Sequence, residues 1–405
     1  MAQAVSFHYV DTGSKLQELI ASLSSSACVA IDTEADSLHH YFEKVCLIQM
    51  SLAEADYIVD PLVGFPVADL MSALADKTLI CHGGDYDLRM LRMSFGFEPR
   101  GEVFDTMSAA QLLGYKELGL AALVKRFFGV DLPKQGQKAD WSRRPLPPNL
   151  LDYARSDTVH LWPLSDLLRA QLTRLGRSKW HREICRQMVR SSTEPHRRDS
   201  GQEWRIKGAS KLSPRALTLL REFWHWRDTA AQRGDIPPFR ILSNQKLLDL
   251  VSWAHANPRG RVEHWPALPR SYHGRRLVSL SAVLRKARRM PVEGVSSTHK
   301  EKHFNSNGPD NKPLVDALRE KRDAVAAALG IDAAVLAPKA LLQSIARARP
   351  KNIEELYRTE RILAWQVDLL AGPFLQVLEA DDRRNGEKPM DVGCEDASAR
   401  SARAS

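Results

Sequence analysis

Val29-Ala30-Ile31-Asp32-Thr33-Glu34 runs from small and β-branched apolar residues straight into two acids. The pattern predicts a short buried strand that ends on carboxylates. Side chains alternate along a strand, so Asp32 and Glu34 share one face and Thr33 takes the other. Two neighbouring carboxylates repel each other unless a proton or a cation lies between them. Hard oxygen ligands of this kind suit magnesium or manganese. Standing alone, Asp-x-Glu also describes an exposed acidic strand end, so the reading depends on further ligands elsewhere in the chain.

Working outward, Ser6–Val10 reads as a strand. Leu16–Leu23 has helical spacing, with Thr12 or Ser14 as its cap. Val45–Leu52 and Tyr57–Val59 read as two more strands around a turn at Ala53–Asp56, which gives a run of antiparallel neighbours. Pro66–Ala75 is an amphipathic helix. Thr78–Cys81 is a short buried strand that passes through His82-Gly83-Gly84 into a helix, Asp85–Phe95. Asp85 is expected at its N-cap and Asp87 in its first turn, where the helix dipole favours a negative charge. A helix at Leu118–Phe128 closes on Gly129, and a polar loop, Pro133–Pro148, leads into one long helix over Asn149–Leu175. On that helix Tyr153 and Asp157 stand four apart, one turn from each other on one face. Strands first and strand–helix alternation afterwards imply a mixed α/β sheet flanked by helices, with sites near the carboxyl ends of strands. Asp32 and Glu34 sit at such an end, and so does the helix start that carries Asp87.

The 405 residues suffice for two or three domains, and 43% hydrophobic with 26% charged residues is ordinary for a globular protein. The formal charge is +9, but it is unevenly placed. Residues 1–170 hold 15 Lys and Arg against 22 Asp and Glu, a net of −7, and the remainder carries +16. An acidic first part and a basic second part suggest metal chemistry followed by binding of a polyanion. Cys28, Cys46, Cys81, Cys185 and Cys394 are scattered, with no Cys-x-x-Cys, so neither a zinc site nor a disulfide framework is expected. There is no signal-peptide pattern at the N-terminus and no membrane-length apolar run, which points to a cytoplasmic protein.

The order Asp32-x-Glu34, Asp87, Tyr153-x-x-x-Asp157 resembles the DEDD superfamily of 3′–5′ exonucleases, in the subgroup with tyrosine in its last motif, and within it the ribonuclease D family. Further pieces carry the resemblance: Leu47-Ile48-Gln49, His82-Gly-Gly-Asp-Tyr-Asp-Leu88, Phe104-Asp-Thr106, and Asp140-Trp141 with Arg144-Pro145-Leu146. It implies a ribonuclease H-like sheet and two divalent metal ions, Mg²⁺ or Mn²⁺. Asp32 would bridge both ions, Glu34 and Asp157 would complete the first site, Asp87 would hold the second, and Tyr153 would orient the attacking water. Four carboxylates balance two divalent ions, and ions roughly 3.5–4 Å apart can stabilise the attacking and leaving oxygens of an in-line displacement. Lys134, Trp141, Arg143 and Arg144, in the loop before the last motif, are candidates to contact phosphate or to stack on a terminal base. In one departure from the family pattern, the segment after the first motif, Ala35–Glu43, lacks the usual basic residues.

The second part is helical. Trp226-Arg227 with Ile236-Pro-Pro-Phe-Arg-Ile-Leu-Ser243 resembles the helicase-and-RNase-D C-terminal (HRDC) domain, and a second copy is expected around Leu318–Arg322, Leu336-Ala-Pro-Lys339 and Leu341-Leu342. The expected division is an exonuclease domain over 1–176, a basic connector over 177–209, an HRDC domain over 210–292, a second HRDC-like domain over 313–380, and a disordered tail over 381–405. Basic residues between Arg259 and Arg289 are expected to meet RNA. The resemblance thus implies a 3′–5′ exoribonuclease that releases nucleoside 5′-monophosphates and acts on RNA such as tRNA precursors. A DNA exonuclease with the same site and a non-catalytic RNA-binding protein are the rivals.

Overall fold

The computed structural model describes residues 6–133, 136–193, 201–292 and 311–386. The chain forms two compact units, Met1–Asn305 and Ser306–Ser405. The first begins with β1 (Ser6–Val10), α1 (Gly13–Ser24), β2 (Cys28–Ala35), β3 (Val45–Ser51) and β4 (Ala55–Val59). Then come α2 (Ala68–Ala75), β5 (Thr78–Cys81), α3 (Asp85–Phe95), β6 (Val103–Asp105), α4 (Thr106–Leu112) and α5 (Leu120–Phe128). The sheet order is β1-β4-β3-β2-β5-β6. Strands β2, β3 and β4 are antiparallel neighbours as expected, whereas β1 joins β4, and β5 and β6 extend from β2, in parallel. Thr12 caps α1, accepting from the Lys15 amide.

One face of the sheet buries Ile31, Ile48 and Met50 in a core shared with α1, α2 and α3. The other buries Leu47 and Ile58 against Trp141, Tyr153 and Ala154. The expected long helix is in fact two, α6 (Pro148–Val159) and α7 (Leu161–Arg174), meeting at His160. Pro163 explains the break: it has no N–H to return to the Val159 carbonyl one turn back. The expected connector also begins with structure. Gly176 takes φ +68 and a new helix, α8 (Ser178–Thr193), packs back on the sheet domain. Its Cys185, Met188 and Val189 enter the sheet's core, and His181 Nε2 bonds the Asp105 carbonyl at 2.9 Å.

The first unit continues with helices α9 (Pro214–Gly234), α10 (Pro238–Ile241), α11 (Asn244–Ala256) and α12 (Gly274–Arg289) around a core of their own. The second unit repeats the pattern with helices Lys312–Leu329, Ala333–Leu336, Lys339–Ala348, Ile353–Tyr357 and Ala364–Gly386. In each, a buried arginine on the first helix donates to the carbonyl fifteen residues on, just past the short second helix. Arg227 reaches Leu242 at 2.9 Å and Arg322 reaches Ala337 at 2.8 Å. The last helix overruns the expected start of the tail, because Arg349 binds both Asp381 and Asp382. The rest of the expected tail, 387–405, lies outside the described residues. Among the described residues no helix is long and apolar enough to cross a membrane. Cys28, Cys46, Cys81 and Cys185 are free thiols.

Candidate active site

The alternation read from the sequence places the acids. Asp32 and Glu34 project from the end of β2 toward the face covered by α6, which packs on β2, β3 and β4. Asp157 comes down from α6 to meet them. One ligand oxygen from each of Asp32, Glu34 and Asp157 lies within 4.8 Å of the others. Asp87 is not in this group. It arrives from α3, on the opposite face of the sheet, and is held at the strand end by Thr33. Its Oδ1 accepts from the Thr33 amide at 3.0 Å and the Thr33 hydroxyl at 2.6 Å. Asp32, Glu34 and Asp87 line one cleft of about 300 Å³, walled by Leu38, Tyr86 and Trp141 among others. That volume lies at the lower end of ligand clefts.

The electrostatics are those of an uncompensated acidic cluster. Burial raises the Asp32 carboxyl well above its usual range, and Asp87, Asp157 and Glu34 push it further. Burial and the Asp157 and Asp87 charges push Glu34 to about 9. Burial, then Asp87, raise Asp157 to about 7. Asp87 rises by burial only to about 6, because the two Thr33 hydrogen bonds favour its charged form. The charged groups that act most strongly on Asp32, Glu34 and Asp157 are all acids. Hard, like-charged oxygens at this spacing fit a divalent cation.

The surrounding residues explain how the site is built. Gly83 takes φ +70, and Asp105 Oδ2 accepts from the amides of Gly83 and Gly84, so the chain turns sharply from β5 into α3. Gly84, not Asp85, is the N-cap of α3; Asp85 lies one residue inside and pairs with Arg89 at 2.9 Å. Asp105 also caps α4 through the Ser108 amide. An acid between a strand and a helix, as in Phe104-Asp105-Thr106, is the sequence signal for such a cap. Gly136 lies against the Tyr153 ring, where a Cβ would stand 2.1 Å from Cδ1, so only glycine lets the loop cross there.

The expected substrate contacts fare differently. Lys134 lies outside the described residues. Trp141 is 1% exposed, with ring centroids 6.0 Å from Tyr153, so it has no bare face on which a base could stack. It serves instead as packing behind Tyr153. Arg144 does not reach toward a substrate: Nη2 binds Asp60 Oδ1 at 2.7 Å and the Cys46 carbonyl at 3.0 Å, and Nη1 binds the Trp141 carbonyl. Arg143 remains 82% exposed and pairs with Asp140 at 3.0 Å. The Asp60 side chain is only 1% exposed, and removing its cation leaves a buried charge with only the Tyr9 hydroxyl and the Leu62 amide to bond it. Arg144→Ala is therefore expected to cost about 3 kcal/mol in denaturant unfolding, whereas Arg143→Ala leaves the unfolding midpoint unchanged.

The segment after the first motif, which lacks basic residues, is tied to the helical domain of the same unit. Asp235, at the end of α9, accepts from His40 Nδ1 at 2.7 Å and from the amides of Tyr41 and Phe42. Tyr41 donates to Asp228 at 2.8 Å, and Arg240 donates to His39 at 2.9 Å. His40 Nε2 also meets Ser142, in the loop over the cleft. Within the basic stretch of that helical domain, Lys286 pairs with Glu222 and Arg288 holds the Gly260 and Asn257 carbonyls, so these two cations are engaged in the fold.

Comparison with known proteins bears on the domains that carry this site. Residues 7–173 match the 3′–5′ exonuclease family, and residues 216–259 and 311–378 match the HRDC domain. Ribonuclease D of Granulibacter bethesdensis is 29% identical over 280 residues, covering 68% of this chain and 70% of that protein. In this pairing of a 3′–5′ exonuclease domain with HRDC domains the chain is similar to the ribonuclease D-type DEDD nucleases. The exosome complex component 10 homolog of Caenorhabditis elegans is 30% identical over 303 residues, 73% of this chain. The chain spans about a third of that relative's length. Among solved structures, Escherichia coli RNase D superposes with a TM-score of 0.70 at 23% identity, covering 93% of this chain and 99% of that one. This likeness speaks for the ribonuclease D fold over both the sheet and the helical domains.

Proposed function

We propose that the chain is a metal-dependent 3′–5′ exoribonuclease that releases nucleoside 5′-monophosphates, with the 3′ ends of tRNA precursors as its substrate class. The observation that carries this reading is the convergence of Asp32, Glu34 and Asp157, with Asp87 across the same cleft. In it Asp32, Glu34 and Asp157 would hold one divalent cation, and Asp32 with Asp87 a second. When bound, the cations supply positive charge against the attacking and departing oxygens of an in-line displacement and acidify water. Thr33 keeps Asp87 aimed at the cleft. The Tyr153 hydroxyl, whose pKa is raised by burial and by the charges of Asp157, Glu34 and Asp32, keeps its proton and orients the attacking water. The basic second part of the chain holds the body of the RNA by its phosphates, so binding weakens with salt.

The test is a gel time course with a 5′-labelled tRNA precursor carrying a 3′ extension, in Mg²⁺, Mn²⁺ or chelator. The expected result is a ladder shortening from the 3′ end that chelator abolishes. RNA left intact under every metal would refute the reading, and a DNA strand of the same sequence shortened faster than the RNA would replace it with a DNA exonuclease. Tyr153→Phe is expected to slow trimming about a hundredfold, the loss of one oriented proton-transfer group. Because Tyr153 is not itself a cation ligand, Mn²⁺ affinity measured by calorimetry stays unchanged in that variant.

A further inference from the structure

Gln49 is fully buried on β3, and neither its Nε2 nor its Oε1 has a hydrogen-bond partner. A buried amide without partners is costly, so its place needs a reason. The register supplies one. In the antiparallel β2–β3 pair Gln49 stands directly opposite Asp32, and Leu47 opposite Glu34. Direct partners project to the same face with Cβ atoms about 4.5–5.5 Å apart. Two residues along the same strand, Ser51 is fully engaged, bonded to Thr158 of α6 at 2.8 Å and to Asp56 at 2.7 Å. Gln49 therefore lies under α6, between the bonded Ser51–Thr158 pair and the acids. Among the described residues the Asp32 carboxylate accepts no hydrogen bond, although it is the acid most surrounded by other acids.

We propose that Gln49 is a positioning residue for the cation site: when the acids take up a cation, its Nε2–H turns to donate to the Asp32 carboxylate and fixes which oxygen faces the cleft. The residue type suits the task. An amide offers a donor without charge, whereas lysine would compete with the cation, glutamate would add a fifth negative charge, and leucine would offer nothing. The inference rests on the metal-dependent reading above.

The experiment uses the full chain and Mn²⁺ as the probe. Gln49→Met keeps the length and volume of the side chain and removes the donor. Because the amide has no partner in the fold, the metal-free variant is expected to melt at the same temperature as the parent or higher. Its Mn²⁺ affinity by calorimetry is expected to fall about tenfold, and the rise in melting temperature on adding Mn²⁺ to shrink. Unchanged affinity would overturn the proposal, and so would a drop in metal-free melting temperature, which marks a structural role. The unmodified chain gives a second measurement: one glutamine side-chain amide resonance moves downfield on adding Mg²⁺, and does not in Asp32→Asn. No movement in any glutamine overturns the proposal. If the parent chain binds no Mn²⁺ at all, the metal-dependent reading fails and this inference with it, an outcome distinct from a parent that binds while Gln49→Met binds equally well.

Discussion

Asp32→Asn is expected to abolish Mg²⁺-dependent shortening of RNA while leaving the metal-free protein as stable as before or more so. The asparagine keeps the shape of the side chain and removes the charge at the centre of the cluster. Asp32 feels Asp87, Asp157 and Glu34 together, so its loss costs the site its central anionic oxygen and relieves repulsion at the same time. Charge stabilisation by a bound cation is worth several kcal/mol in the transition state. At about 1.4 kcal/mol per tenfold, the rate falls about a thousandfold. Gel kinetics and thermal melting with chelator check the two halves separately. A variant that trims at the parental rate would sink the site assignment. One that melts far lower would show Asp32 to be a structural acid.

The second large effect concerns pH. Glu34, Asp157 and Asp87 are pushed up to about 9, 7 and 6, against an ordinary carboxylate near 4. Between those values the native state holds more protons than the unfolded chain, so raising the pH favours unfolding. The stability these groups contribute is full below about pH 4 and is lost as pH climbs through 6 to 9. A combined displacement of even about 2 units is worth about 3 kcal/mol, or about 6–12 °C in a domain of this size. Melting curves with chelator are thus expected to fall steeply from pH 5 to pH 9. Saturating Mg²⁺ takes the place of the protons and flattens the curve, with its largest gain at the alkaline end. A chelated protein that melts no lower at pH 9 than at pH 5 would contradict the clustered arrangement.

Much of this was legible in the chain because period-2 alternation is a local property. Asp32 and Glu34 on one face, with Thr33 on the other, follow from their order alone. So does the pairing of Tyr153 with Asp157. What alternation cannot show is that the Thr33 face meets α3, and that Asp87 therefore reaches the cleft around the end of the strand. Arg144 was misread for a related reason. A cation in a polar loop looks the same whether it meets phosphate or a buried acid, and its partner Asp60 lies 84 residues upstream. Helix α8 did carry a signal. His181, Cys185, Met188, Val189 and Ser192 fall on one helical stripe, but the arginines and lysines around them dominate the composition and suggested a connector. The break at His160 was signalled by Pro163, set inside an otherwise continuous helical pattern.

The hydrogen bonds that Asp235 and Asp228 make to Tyr41 and its neighbours bear on how freely the parts of this protein can be exchanged. The stretch from Ser37 to Phe42 begins on the cleft with Ser37 and Leu38, yet several of its anchors sit nearly two hundred residues away at α9. A chain cut before Pro214 would keep every acid of the cluster and lose the clamp on that border. A chimera with a foreign helical bundle would meet the same fate unless the graft supplied carboxylates where Asp228 and Asp235 stand. In lineages that trade domains, these two acids and the histidine-rich turn they grip are expected to travel together.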